Sequence, residues 1–322
     1  SMASNFLELK KMIDSEGIKW RSSGDGEVLI ELWARWKDEC LNQLNGMFSF
    51  IIYDKIENKV TCVRDRYGIK PLYYIKEGGI FAFASEIQTL INIKKELEPN
   101  LITVDKYLRH GINDDNEYTF FKDILRVKPG ELIEIDLDSL CSKSSNWYKL
   151  EDHLYTINSS KERIVKDLDE LLDDIACLYT IADVDHGINL SGGVDSTLLY
   201  TYMRDQSDTL NAYTLDFDGY SEKEWINRYF NQGTLNIINN NEENTISWFE
   251  KTMKHQAEPY GGIMLLAYNN LYTEAKKNNT KVILDGNGVD EIFLGYPKYQ
   301  NLKKNQSNEF KIKSIDGSTP VF

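Results

Sequence analysis

Residues 186–200, HGINLSGGVDSTLLY, carry the clearest chemistry in the chain. An apolar run stops at Ser191-Gly192-Gly193, and Val194-Asp195-Ser196-Thr197 leads at once into an apolar helical pattern. Glycines between a strand and a helix permit backbone conformations and close approaches that side chains forbid. Backbone amides and the helix N-terminus can then surround an anion. Ser191 and Ser196 add hydroxyl groups. Asp195 is acidic, and beside a phosphate it makes sense with a bridging cation such as Mg2+. The spacing is not the Walker pattern, because GxxxxGK[ST] is absent and no lysine follows. Locally, the alternative is a Gly-Gly turn with a capping serine.

A second turn is built in the same style. In VILDGNGVDEIFLGY (282–296) a strand ends in Asp285-Gly286-Asn287-Gly288, and Asp290-Glu291 open a helix. Asp290 is a candidate second metal carboxylate facing the same diphosphate. The alternative is simple charge at a helix N-terminus, worth about 0.3–1 kcal/mol.

The surrounding pattern would hold these turns at the ends of parallel strands. Apolar segments at 186–190, 210–217, 235–239 and 281–285 alternate with helical patterns at 161–178, 196–204, 221–232, 244–256 and 263–277. Such alternation predicts a doubly wound parallel sheet with its ligand at the C-terminal strand ends. Val282-Ile283-Leu284 is continuously apolar, as expected of a strand covered on both faces. The first half differs. After helical patterns at 5–15 and 25–37, the segments GMFSFIIYD, KVTCVRD, LYYIK and GIFAFAS have strand period, with turns at Glu57-Asn58 and Gly78-Gly79. These predict antiparallel hairpins, followed by a strand near Glu131–Leu137. The fold class expected is thus mixed, α+β then α/β, with the polar stretch Leu150–Ser160 as linker between domains 1–150 and 151–322.

Composition bounds the function. The 322 residues leave room for two domains. A net charge of −14 argues against nucleic acid as a partner, since phosphate binding needs a basic face. No apolar run approaches a membrane span, and no apolar signal core opens the chain. Cys40, Cys62, Cys141 and Cys177 are widely spaced, which favours reduced structural thiols in a cytoplasm, the location expected. The four histidines are scattered and receive no role.

LSGGVDST resembles the PP-loop of ATP pyrophosphatases, and LDGNGVDEIFLGY resembles the paired motif of glutamine-dependent asparagine synthetases. LNGMFSFIIYD, VRDRYGIKPLYY and FAFASEIQTLI are similar to the N-terminal-nucleophile (Ntn) glutaminase domain of that family. The motifs stand in the family's order across residues 5–300. The resemblance, of the asparagine synthetase B-like kind, implies a partial Ntn-type antiparallel β-sandwich followed by an adenine nucleotide alpha hydrolase-like sheet. It implies adenylation of a carboxylate by ATP with release of pyrophosphate, then attack by ammonia. By match, Ser191, Gly192, Gly193, Asp195 and Ser196 would bind pyrophosphate and Mg2+. Leu190, Leu215 and Gly286, with Asp285, would lie against ATP, and Asp290 would help hold the metal.

Three departures temper what the resemblance implies. The glutaminase nucleophile, a cysteine directly after the initiator methionine, has no counterpart, since the chain begins about halfway into that domain. Cys40, in WKDECLNQL, reads as a packing residue. Only Asp25, in GDGEV, survives of the glutamine-binding set, so no glutaminase activity is expected. Asn287 stands where the synthetases carry an acidic residue, and EPYGGIMLLAY (258–268) differs from the usual substrate segment, which leaves the carboxylate open between aspartate and another acid. The chain also stops soon after the second motif; Lys303, Lys304, Lys311 and Lys313 match no motif, and the family's stabilising lysine is assigned to none. An ATP-dependent carbon-nitrogen ligase is the reading preferred. The alternative is a non-catalytic or incomplete member, such as one piece of a split enzyme. Absent early strands would leave residues 40–90 to self-associate or to recruit a complementing chain; the alternative is that the surviving strands repack against helix 25–37 and hide the surface.

Overall fold

The computed structural model describes residues 2–299 apart from 15–16, 95, 155–157, 181–183, 208–209, 218, 220, 241–244, 263 and 298. Lys303, Lys304, Lys311 and Lys313 lie outside the described residues. The chain divides into two units, residues 1–157 and 158–321.

In the first unit α1 (Phe6–Asp14) and α2 (Asp25–Trp36) are followed by a 3-10 helix, Lys37–Gln43. The short strands β1 (Met2–Ala3) and β2 (Gly46–Met47) pair antiparallel. β3 (Ser49–Asp54), β4 (Lys59–Arg64), β8 (Glu131–Asp136) and β9 (Ser142–Asn146) form an antiparallel sheet in the order β3-β4-β8-β9. β5 (Tyr73–Glu77), β6 (Ile80–Ala84) and β7 (Ile124–Arg126) form a second, in the order β6-β5-β7. Asn58 supplies the left-handed residue of the β3–β4 turn, with φ of 49°.

Strand alternation sorts the apolar side chains by face. Phe48, Phe50, Ile52, Val63 and Leu132 share a core with Leu9, Ile13, Val28, Leu32, Trp33 and Cys40 from the helical segment. On the other face Val60, Cys62, Ile133 and Ile135 pack with Leu72, Tyr74, Phe81, Phe83 and Val127, so the two sheets share one apolar cluster. β3 stands outside it. Ile51 and Tyr53 oppose Cys62 and Val60 in register, yet they are 44% and 51% exposed. The helices α3 (Ile87–Ile93) and α4 (Leu101–His110), and the strands β7 and β9, were not legible in the pattern. All of β9 is exposed, so no hydrophobic alternation marks it.

The second unit alternates as its sequence predicts: α5 (Lys161–Thr180), β10 (His186–Asn189), α6 (Val194–Gln206), β11 (Asn211–Phe217), α7 (Lys223–Tyr229), β12 (Thr234–Asn240), α8 (Thr245–Gln256), α9 (Met264–Lys277), β13 (Val282–Leu284) and α10 (Val289–Phe293). All pairings in the sheet β12-β11-β10-β13 are parallel. Ile188, Leu190 and Ala212 pack with Ala176, Tyr200, Met203 and Ile226 on one face, while Tyr213, Leu215 and Ile238 pack with Leu271 and Ala275 on the other. Val282, Ile283 and Leu284 are only half-buried, where full cover on both faces was expected; β13 is an edge strand among the described residues.

Candidate functional site

The strand order places the site. From β10 the chain runs to β11 and β12 on one side, then returns to β13 on the other. The connections therefore diverge between β10 and β13, and open parallel sheets bind ligands at such a switch point. Both turns singled out in the sequence leave the sheet there, one after β10 and one after β13.

After β10 the Leu190 amide still donates to the Tyr213 carbonyl at 2.8 Å, and the turn follows. Ser196, buried in the first turn of α6, fastens it: its Oγ donates to the Ser191 carbonyl at 2.8 Å and accepts the Ser191 amide at 3.1 Å. The Ser191 and Ser196 hydroxyls lie 2.9 Å apart. Thr197 donates to the Gly193 carbonyl at 2.7 Å. These side chains hold the turn and leave the first amides of α6, which no helix satisfies internally, at the strand ends.

Neither Gly192 nor Gly193 adopts the left-handed conformation; Gly193 has φ of −74°. What requires glycine at 192 is space. A Cβ there would lie 2.8 Å from the Trp225 Cβ, so the turn is seated directly against the start of α7. Between them opens a cleft of about 330 Å3 lined by Gly192, Gly193, Ser221, Glu222 and Trp225.

The second turn touches the first. A Cβ on Gly286 would come within 3.1 Å of both the Asp195 Cβ and the Ser196 amide nitrogen. Asn287 folds back on Asp285, so that carboxylate is spent on the turn. Burial first, then the Asp290 and Glu291 carboxylates, push the Asp195 carboxyl above its usual range. Three acidic groups thus crowd the meeting point of the two turns. Among the described residues no three His, Cys, Asp or Glu side chains are arranged as a finished metal cage. Asp195 and Asp290 are nonetheless hard oxygen donors of the kind Mg2+ takes one or two at a time, completing its shell with phosphate oxygens and water.

Leu190 and Leu215 are not brought together through their side chains. Leu190, 2% exposed, packs under α6, while Leu215 packs on the opposite face with Leu271. Any shared ligand contact would have to come from backbone at neighbouring strand ends. Glu222, Trp225 and Gly295 were missed by sequence reasoning. No periodicity marks the first two, and Gly295 matters because a Cβ there would overlap the Asp290 carboxylate. In the other unit Asp25 is half-buried at the start of α2. Glu27 pins the preceding loop, accepting from the Arg21 and Ser22 amides at 2.9 and 2.6 Å. Cys40 is fully buried and burial pushes its thiol up to about 12.

Comparison with known proteins bears on both units. Residues 3–148 match the family described as "Glutamine amidotransferase domain", and residues 167–319 match "Asparagine synthase". In both units, then, the chain is similar to the asparagine synthetase family. A Methanocaldococcus jannaschii relative named for that activity is 29% identical over 92% of this chain and 58% of its own length. "Asparagine synthetase [glutamine-hydrolyzing] 1" of Bacillus subtilis is 26% identical over 92% of this chain and 47% of its own. The chain therefore spans about half the length of the curated relatives it matches. Among solved structures, the glutamine phosphoribosylpyrophosphate amidotransferase from B. subtilis aligns at 15% identity over 74% of this chain and 59% of its own. Its TM-score of 0.34 carries no weight here. No helix among the described residues is long and apolar enough to cross a membrane.

Proposed function

We propose that this chain is a ligase of asparagine synthetase type that uses ATP to adenylate a carboxylate, releases pyrophosphate, and makes an amide with ammonia. One observation carries the reading: Gly286 packs against Asp195 and Ser196 at the switch point of the parallel sheet. That contact supports a single site made from both turns. In it Ser191, Gly192, Gly193 and Ser196 receive the diphosphate, and backbone at Leu190, Leu215, Asp285 and Gly286 lies against adenosine. Asp195 and Asp290 are the residues that would hold Mg2+. When bound, the cation would supply charge neutralisation for a departing pyrophosphate, and the turn's donors add hydrogen bonds to it.

The proposed division of labour is a glutaminase-like domain over residues 1–150 and a synthetase domain over residues 151–322. Glutamine hydrolysis is assigned to none of the four cysteines. Cys40 and Cys62 are buried with thiols pushed up to about 12. Nucleophilic attack needs the thiolate. A second reading, in which this chain works with a complementing polypeptide or a second copy, is supported by the exposed Ile51 and Tyr53 beside a packed sheet face.

The experiment is conversion of ATP to AMP and pyrophosphate by the purified chain with Mg2+, ammonia and a panel of carboxylates headed by aspartate. AMP formation that depends on one acid is expected. Calorimetry should show Asp195→Ala removing the Mg2+-dependent part of ATP binding. If Mg-ATP affinity stayed within about twofold, under ~0.5 kcal/mol, the metal assignment would be wrong.

A further inference from the structure

Glu222 immediately precedes α7, where a short polar side chain would ordinarily cap the helix. Its side chain makes no such cap. The backbone carbonyl of Glu222 accepts the Trp225 and Ile226 amides at 3.0 Å each. The carboxylate turns the other way, across the cleft, and accepts the Gly192 N–H at 3.2 Å. Gly192 is the first glycine of the turn assigned above to the phosphates, and Glu222 and Gly192 line the same cleft. The donor that a phosphate would need is thus held by a carboxylate of the protein itself.

We propose that Glu222 is an anionic latch: its carboxylate occupies the Gly192 amide when the site is empty and is displaced by the phosphate of the nucleotide. This rests on the reading of the glycine turn as a phosphate site. One N–H cannot serve two anions at full strength, and a carboxylate a few ångströms from a polyphosphate repels it in a site partly shielded from water. The latch therefore competes with every anion, and only a ligand with several simultaneous contacts and a cation displaces it. Meanwhile it keeps the glycine turn seated on α7, where the Gly192–Trp225 contact leaves no room for drift. The latch raises the threshold for binding; it does not touch the reacting atoms.

The test uses inorganic pyrophosphate as probe, titrated calorimetrically into the whole chain with and without Mg2+. Glu222→Ala removes both acceptor and charge, whereas Glu222→Gln keeps an acceptor for Gly192 and loses the charge. Without Mg2+, Glu222→Ala is expected to bind pyrophosphate roughly tenfold more tightly than the parent, with Glu222→Gln between them. Affinities within twofold, or weaker binding accompanied by lower stability, would make Glu222 a static strut and overturn the latch. A loss confined to the Mg2+ arm would make it a metal ligand and overturn it equally. If none of the three proteins binds pyrophosphate, the phosphate reading of the turn fails and the latch with it. Binding that neither substitution strengthens defeats the latch alone.

Discussion

Asn287 donates twice to the Asp285 carboxylate, through its backbone amide and its side-chain amide, at 2.8 Å each. The neutral amide at this position thus has a structural partner. It closes the turn that carries Gly286 against Asp195.

Replacing Asn287 by aspartate should therefore harm this chain, even though the synthetases it resembles carry an acid there. The variant loses a side-chain donor and sets two carboxylates face to face. A destabilisation of about 1 kcal/mol is expected from the lost bond and the repulsion. Urea unfolding at pH 7 measures it, and the deficit should shrink as the pH falls toward 4 and one carboxyl takes a proton. Equal or greater stability at pH 7 would show that the Asp285–Asn287 pair does not hold the turn.

Thiol reactivity should divide the cysteines two and two. Cys40 and Cys62 are buried with thiols pushed up to about 12, whereas Cys141 and Cys177 are exposed. Iodoacetamide at pH 8 should label Cys141 and Cys177 in the native protein, and all four only after unfolding. Mass spectrometry of the native digest gives the count. Rapid native labelling of Cys40 would reopen it as a nucleophile.

Asp54 provides a pH marker in the first unit. The Lys37 ammonium, 2.7 Å away, and then the Glu57 and Ile56 amides hold its carboxyl down to about 2. A folded-state value below the unfolded one of about 3.9 means a stabilising contribution that is complete above pH ~4. It fades as the pH falls through about 2. Lys37→Met should raise the Asp54 value and leave that part of the acid limb flatter. Carboxyl titration by NMR reads the shift, and an unchanged Asp54 would assign the effect to the amides alone.

The exposed side of β3 should act as an association surface. Ile51 and Tyr53 project beside Cys62 and Val60, which are packed, and among the described residues the outer edge of β3 has no strand partner in its sheet. Bare strand edges with apolar side chains recruit other chains. Sedimentation at micromolar concentration should detect self-association, weakened in Ile51→Lys/Tyr53→Lys. A clean monomer with little binding of a hydrophobic dye would retire this expectation.

The sequence by itself determined the character of both units. Strand period in Gly46–Ala84 and strand-helix alternation after residue 160 come from which side chains must be buried, and that pattern is local. The two glycine turns were legible because LSGG and LDGN end apolar runs and open helices, a signal of residue type and spacing. β9 escaped because its five residues are all exposed, and α4 because it buries only Thr103 among apolar side chains turned to solvent. Tertiary structure alone decided the rest. Parallel pairing of β10 with β13 across nearly a hundred residues brings Gly286 onto Asp195, and no local pattern encodes that pairing. The same holds for Glu222, whose 30-residue reach to Gly192 depends on α7 folding back over the sheet. The resemblance placed Leu190 and Leu215 alike against ATP. The sheet sends them to opposite faces, because strand direction and pleat are settled only when the neighbouring strands are in place.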